Sequence, residues 1–218
     1  MKPTTNLARL RRSVIRRTRL LRDFFIHSKA APHRERNAAA AFCVLELDNT
    51  IINLHREFLI SSLHVECRTC SGHKVTHNNN FPTPDSAALY IMSVLEPMRF
   101  NNRYSAATSL TRREETKVRD PLKLQNVSAA SMMSNAGSII TALSLNSPAF
   151  SQMATYRNFF AHRNVETARK LKNLSASIGL APAVHEWDAI SQLLPGSPTS
   201  LFESWAFDVE LFAEFLLD

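Results

Sequence analysis

The sequence predicts an all-α fold, a single helical bundle of five to seven helices, and three observations carry that expectation. Only four glycines occur in 218 residues (Gly72, Gly137, Gly179 and Gly196), and long stretches hold neither Gly nor Pro. Sandwiches and barrels need turn residues roughly every 8–12 positions, and that rhythm is absent. Apolar residues recur instead at three- and four-residue spacing, the period of a helix with one face in a core. Apolar residues make up 44% and charged residues 21% of the chain, a globular balance, so one domain spanning 1–218 is expected.

The elements follow in order. In the first segment Leu7, Leu10, Val14, Leu21, Phe24 and Phe25 repeat at helical spacing, with arginines on the other faces. The second segment, 35–66, is free of Gly and Pro. Phe42, Leu45, Ile52, Leu59 and Leu63 form its apolar stripe, widened by Val44, Leu47, Ile51, Leu54 and Phe58, while Glu46, Asn49, Asn53 and Glu57 take the polar side. A helix this apolar is expected at the centre of the bundle. Thr83-Pro84-Asp85 is a helix start with Pro at the first helical position, opening a third helix over 86–95. Residues 97–120 have weak periodicity and dense charge and are expected to form a mobile connection. Asp120-Pro121 starts a helix running to about Leu145, and Ser147-Pro148 starts another that runs on to Gly179, a good C-terminal stop. Two shorter helices, 185–194 and 200–217, complete the chain, with Trp187 and Trp205 as packing residues.

Charge is uneven. Residues 1–36 hold eleven Lys and Arg against two acidic residues, while the remainder holds fifteen basic against seventeen acidic. Such a segment attracts polyanions, and Arg12 and Arg16 are its candidate contacts. It also reads as a solvated helix face or an Arg-rich transit segment. No stretch approaches the roughly 18 apolar residues of a membrane span, and the N-terminal arginines interrupt any signal-peptide core. Three cysteines do not make a disulfide framework, so a cytoplasmic protein is expected.

The most informative segment is Tyr156-Arg157-Asn158-Phe159-Phe160-Ala161-His162-Arg163-Asn164. RNA carries its own nucleophile, the 2′-hydroxyl. Cleavage then needs a group that moves protons near neutral pH, which suits His162, and a cation for the charge developing on phosphorus, which suits the guanidinium fork of Arg157. Asn158, four positions before His162, is placed to orient the imidazole or hold a phosphate. Arg163 and Arg169 follow as candidate backbone contacts, and Glu46 and Asn49 as candidate cleft-lining residues. On an ideal helix, positions five apart are rotated by about 140°, so one molecule assembles the Arg157–His162 pair poorly.

This segment resembles the R-x4-6-H signature of the HEPN superfamily, in its RN-x-x-AHR form. The resemblance implies a helical bundle and a metal-independent endoribonuclease that leaves 2′,3′-cyclic phosphate and 5′-hydroxyl ends. It also implies a homodimer whose two motifs line one cleft, and a setting in toxin–antitoxin or antiviral defence with an antitoxin or regulatory partner. Some HEPN toxins carry R-x4-H-x-Y with a tyrosine that becomes adenylylated; Asn164 stands at that place here. An ordinary structural reading stands beside the resemblance, with Arg157 capping a neighbouring helix and His162 in the core. Two further functional readings also stand, a non-catalytic helical adaptor that binds RNA or a protein, and a small metal-stabilised interaction domain.

Cys67, Cys70, His73 and His77 have ligand chemistry and partly the right spacing for zinc. The gap between Cys70 and His73 is tight for a tetrahedron, and incidental thiols at a helix end explain the row as well. The implied reaction needs no cofactor, so any zinc would be structural. Glycine-rich phosphate loops, G-x-S-x-G and H-E-x-x-H are all missing from the sequence.

Overall fold

A computed structural model describes residues 4–183 and 185–218. Ten helices run through them: α1 (Leu7–Ser28), α2 (His33–His64), α3 (Pro84–Leu95), α4 (Pro97–Arg103), α5 (Leu122–Ser131), α6 (Ala136–Ser144), α7 (Pro148–His162), α8 (Val165–Ser177), α9 (Glu186–Ser191) and α10 (Leu201–Leu216). Extended pairing among the described residues is limited to isolated bridges such as Asn6 with Arg68 and Leu193 with Ser200. The fold is all-α. No helix among the described residues is long and apolar enough to cross a membrane.

The helix count exceeds five to seven because two expected helices are broken by backbone geometry that apolar spacing does not report, and a further helix forms inside the segment expected to be a connection. Met132 adopts φ 53° and separates α5 from α6. Arg163 adopts φ 45°, and Asn164 then caps α8 through a reciprocal box with Thr167, so the helix expected over 148–179 is two helices. Within 97–120, α4 occupies the first seven residues. The remainder is tied down by Arg99 donating to the Glu114 carbonyl at 2.5 Å and by Thr111 N–H donating to Glu114 at 2.8 Å.

The chain divides into two compact units, and α1, α2 and α10 each contribute residues to both. The first unit comprises Met1–Val14, Ile52–Asn146 and Phe212–Asp218. Its core gathers Leu54, Phe58, Leu63, Met92, Val127 and Leu216, all essentially inaccessible. Thr83 caps α3 with a side-chain box to Ser86, and Pro84 sits in the first turn, as the sequence indicates. Several charged groups inside this unit are matched to partners. Arg56 donates to Glu115 and to the buried Glu57, Arg112 bonds Asn53 and Glu115, and the buried His55 ring meets the Val118 carbonyl at 3.0 Å. Glu57, expected on a wet face, is therefore a buried ion-pair member. Burial is the main reason that the His55 imidazole ionises only near about 4.

The second unit comprises Ile15–Ile51 and Ser147–Leu211. Its core is aromatic. Phe25 stacks on Trp187 at 4.6 Å and meets Phe202 at 4.8 Å, and Tyr156 stands edge-on to Trp205 at 4.7 Å. Such pairs each contribute about 0.5–1.5 kcal/mol beyond their burial. The Trp205 indole N–H donates to Gln152 at 2.8 Å, so the buried ring keeps a polar partner. Phe24 and Phe42, expected on apolar stripes, pack edge-on against each other at 5.4 Å on the surface and remain 45% and 50% exposed. Gly179 closes α8 at φ 76°, with Leu180 N–H returning to the Ser175 carbonyl at 2.9 Å. A Cβ there would lie 2.9 Å from the Pro195 ring.

Candidate active site on the motif helix

Helix α7 has its geometry fixed at both ends. Pro148 occupies the first turn, and the Asp208 carboxylate accepts the Ala149 N–H at 3.1 Å, satisfying one of the donors every helix start leaves open. Burial raises the Asp208 carboxyl above its ordinary range, and that same hydrogen bond opposes the rise. Ala149, Met153, Tyr156 and Phe160 form the buried face at four- and three-residue steps. The Tyr156 hydroxyl meets Ser175 Oγ at 3.0 Å, which anchors α7 to α8. At the far end, Arg163 leaves the helix in the left-handed conformation while its N–H still returns to the Phe159 carbonyl at 2.9 Å.

These constraints place the motif residues differently from one another. Arg157 follows the buried Tyr156 and is partly covered, with 31% of its side chain exposed. Its Nε lies 3.7 Å from Oδ2 of Asp48 on α2, a carboxylate only 3% exposed. Its Nη1 donates to Asn158 Oδ1 at 3.3 Å. Asn158 is exposed and spends its amide oxygen on Arg157 rather than on His162. His162 is the last residue of α7 and is exposed, so it is not a core histidine. Of the two phenylalanines of the motif, Phe160 is buried and Phe159 half-buried, their rings edge-on at 5.4 Å.

The remaining candidates separate. Arg163 pairs with Glu186 of α9 at 3.1 Å and does not continue the motif helix; Arg169 is exposed on α8. Arg12 and Arg16 are exposed on α1. Glu46 is paired with Arg17 and accepts the Asn49 amide at 3.1 Å. The α2 residue that reaches the motif is thus Asp48. Its signal was present in the sequence, because Asp48 continues the row Ala41, Val44, Asp48, Ile51, His55 and Phe58. A carboxylate on an apolar row needs a cation or donors to be buried.

The Cys/His row is not gathered. Cys67 is buried and its thiol faces Ser62 Oγ at 3.8 Å. Cys70 is half-buried, its N–H donating to the Leu217 carbonyl at 2.8 Å. His73 is exposed, and the His77 ring lies 5.9 Å from that of Phe81. Among the described residues no group of three or more His, Cys, Asp or Glu is close enough together to hold a metal ion. Burial raises both the Cys67 and Cys70 thiols, and pushes that of Cys43 up to about 12.

Beside the motif, α7, α8 and α9 enclose a cleft of about 660 Å³. Phe159 contributes to its wall, as do Leu171 and Ser175 of α8, and Arg169, Lys172 and His185 line it. Of these three the sequence singles out Arg169; Lys172 follows it by one turn of α8, and the fold brings His185 to the same cleft. Compared with protein-family models, curated proteins and solved structures, the chain matches none.

Proposed function

We propose that this chain is a metal-independent endoribonuclease of the HEPN type. The observation that carries the reading is the pairing, on one helix, of a guanidinium anchored by a buried carboxylate with an exposed imidazole five residues later. An anchored Arg157 holds its fork in a fixed orientation, which favours charge stabilisation over mobile contact. An exposed His162 can reach a substrate proton. In the reaction, the RNA 2′-oxygen attacks the adjacent phosphorus and His162 accepts the hydroxyl proton. The bond from phosphorus to the 5′-oxygen breaks, and that oxygen takes up a proton, giving cyclic-phosphate and 5′-hydroxyl ends. The two residues diverge by about 140° around α7, which supports a composite site in which two copies each supply a motif. A role as a toxin or defence effector under an antitoxin or other regulatory partner follows from the resemblance.

One observation favours a second reading. The Arg157–Asp48 ion pair also serves a non-catalytic adaptor that binds RNA or a protein through its basic first helix, with Arg157 holding the fold together.

The deciding experiment incubates purified wild type and His162→Ala with total RNA in EDTA and maps the ends produced. Cleavage by wild type with cyclic-phosphate ends, reduced at least about 100-fold in the variant, is expected. Equal cleavage by both proteins, or none by either, overturns the ribonuclease in favour of the adaptor. Sedimentation of the wild type tests the dimer separately.

A further inference from the structure

The cleft of the second unit has features that its position beside the motif does not require. Its volume, about 660 Å³, lies in the range of sites for small organic ligands, about 300–1,000 Å³, and accommodates one nucleotide. Its walls are mainly apolar, with Phe159, Leu171 and Pro182 among them. Arg169 and Lys172 stand one turn apart on α8, both exposed and both lining the cleft. The acidic lining residue, Glu186, is neutralised by Arg163 at 3.1 Å. The cleft therefore presents an apolar wall with an aromatic ring and an excess of positive charge along one edge. That combination matches a planar base attached to an anion, since bases stack on aromatic faces and an Arg fork matches phosphate oxygens. Phe159 lies between Arg157 and His162, so the same turn of α7 carries the motif and part of the cleft wall.

We propose that this cleft is a nucleotide subsite, taking one nucleobase against the Phe159–Leu171 wall and its phosphate on Arg169 and Lys172. The proposal rests on the RNA reading of the motif and adds to it where the strand is gripped beside the cut. The same chemistry is offered by a residue within an RNA strand and by a free nucleoside monophosphate.

The test uses the full chain and a short, fluorescently labelled, fully 2′-O-methylated single-stranded oligonucleotide. Lacking 2′-hydroxyls, it cannot be cut by internal attack, so binding is read apart from cleavage. Arg169→Glu and Lys172→Glu are compared with Lys170→Glu. Lys170 belongs to the same helix but is paired with Glu166 at 2.7 Å and does not line the cleft. Weakening of about tenfold in each of the first two and no more than about twofold in the third is expected. Equal weakening in all three, or none in any, overturns the subsite, because only overall charge or another surface would then be at work. AMP as a competitor separates the sources. Displacement of the oligonucleotide assigns the cleft to a free mononucleotide, and discrimination among the variants without displacement assigns it to the strand. The two readings fail separately. Binding that depends on Arg169 and Lys172 in a protein that cuts no RNA leaves the subsite standing without the ribonuclease. RNA cleavage with unchanged binding by both variants leaves the ribonuclease without the subsite.

Discussion

Pairing of Asp48 with Arg157 is open to a quantitative test. The perturbation is a double-mutant cycle of Asp48→Asn, which removes charge at nearly constant shape, and Arg157→Met, which keeps the apolar stem. At the observed 3.7 Å, two unit charges attract by about 4–5 kcal/mol at an effective dielectric of about 20. Water reaches the guanidinium, whose side chain is 31% exposed, and screening brings the expected coupling down to about 1–2 kcal/mol. The single variants should differ. Arg157→Met takes this cation from a carboxylate only 3% exposed and should cost about 2–3 kcal/mol, below the roughly 3–5 of a fully buried pair. Asp48→Asn leaves a cation that water already reaches, and about 1–2 kcal/mol is expected. Urea unfolding followed by tryptophan fluorescence suits the measurement, because Trp187 and Trp205, the two tryptophans of the chain, lie in the same unit as the pair. A coupling below about 0.3 kcal/mol, within the error of additive behaviour, would refute the pairing. So would a larger cost for Asp48→Asn than for Arg157→Met.

Two further outcomes are expected. His55 ionises near about 4 in the fold, against an ordinary 6.5, so the unfolded chain binds a proton that the native chain refuses between those values. Stability from this group is fully present above about pH 6.5 and declines by about 3 kcal/mol as pH falls towards 4. Urea midpoints measured across that window should fall less steeply for His55→Phe than for wild type, and identical slopes would contradict the assignment. Met132 holds φ 53° while 69% exposed, a conformation costing a non-glycine residue about 1–2 kcal/mol. Met132→Gly relieves that strain at the expense of a floppier unfolded chain and of the 3.0 Å contact with the Asn78 amide. A net gain of about 0.5 kcal/mol should raise the thermal midpoint, with Met132→Val lowering it.

Much of the helical architecture was legible because it rests on apolar periodicity and turn chemistry. The stripe Leu7, Leu10, Val14 and Leu21 is buried as spaced, the long Gly- and Pro-free run is one helix, and Thr83-Pro84 starts another. Periodicity fails where the backbone turns without glycine, at Met132 and Arg163, because left-handed geometry in ordinary residues has no compositional mark. It fails again where polar residues take core positions. Thr18, Asp48, His55 and Glu57 are buried while Phe24 and Phe42 are not, since long-range partners decide those sites. At the motif, residue types point to Arg157 and His162 as candidates; the row of Asp48 signals a buried carboxylate, but only the fold makes Arg157 its partner and sets Asn158 against Arg157. Lys172 follows Arg169 at ordinary helical spacing, whereas His185, at the start of α9, reaches the same cleft only through the fold.

The break after His162 sets a register. Because α7 ends at one residue and α8 begins after a two-residue elbow, the offset between motif and cleft cations is fixed by backbone length and not by side-chain chemistry. One residue inserted into the elbow would leave both helices intact yet shift Arg169 and Lys172 relative to Arg157. Under the proposed ribonuclease and subsite, a relative that kept every residue of the motif would change which nucleotide beside the cut it grips by altering elbow length alone.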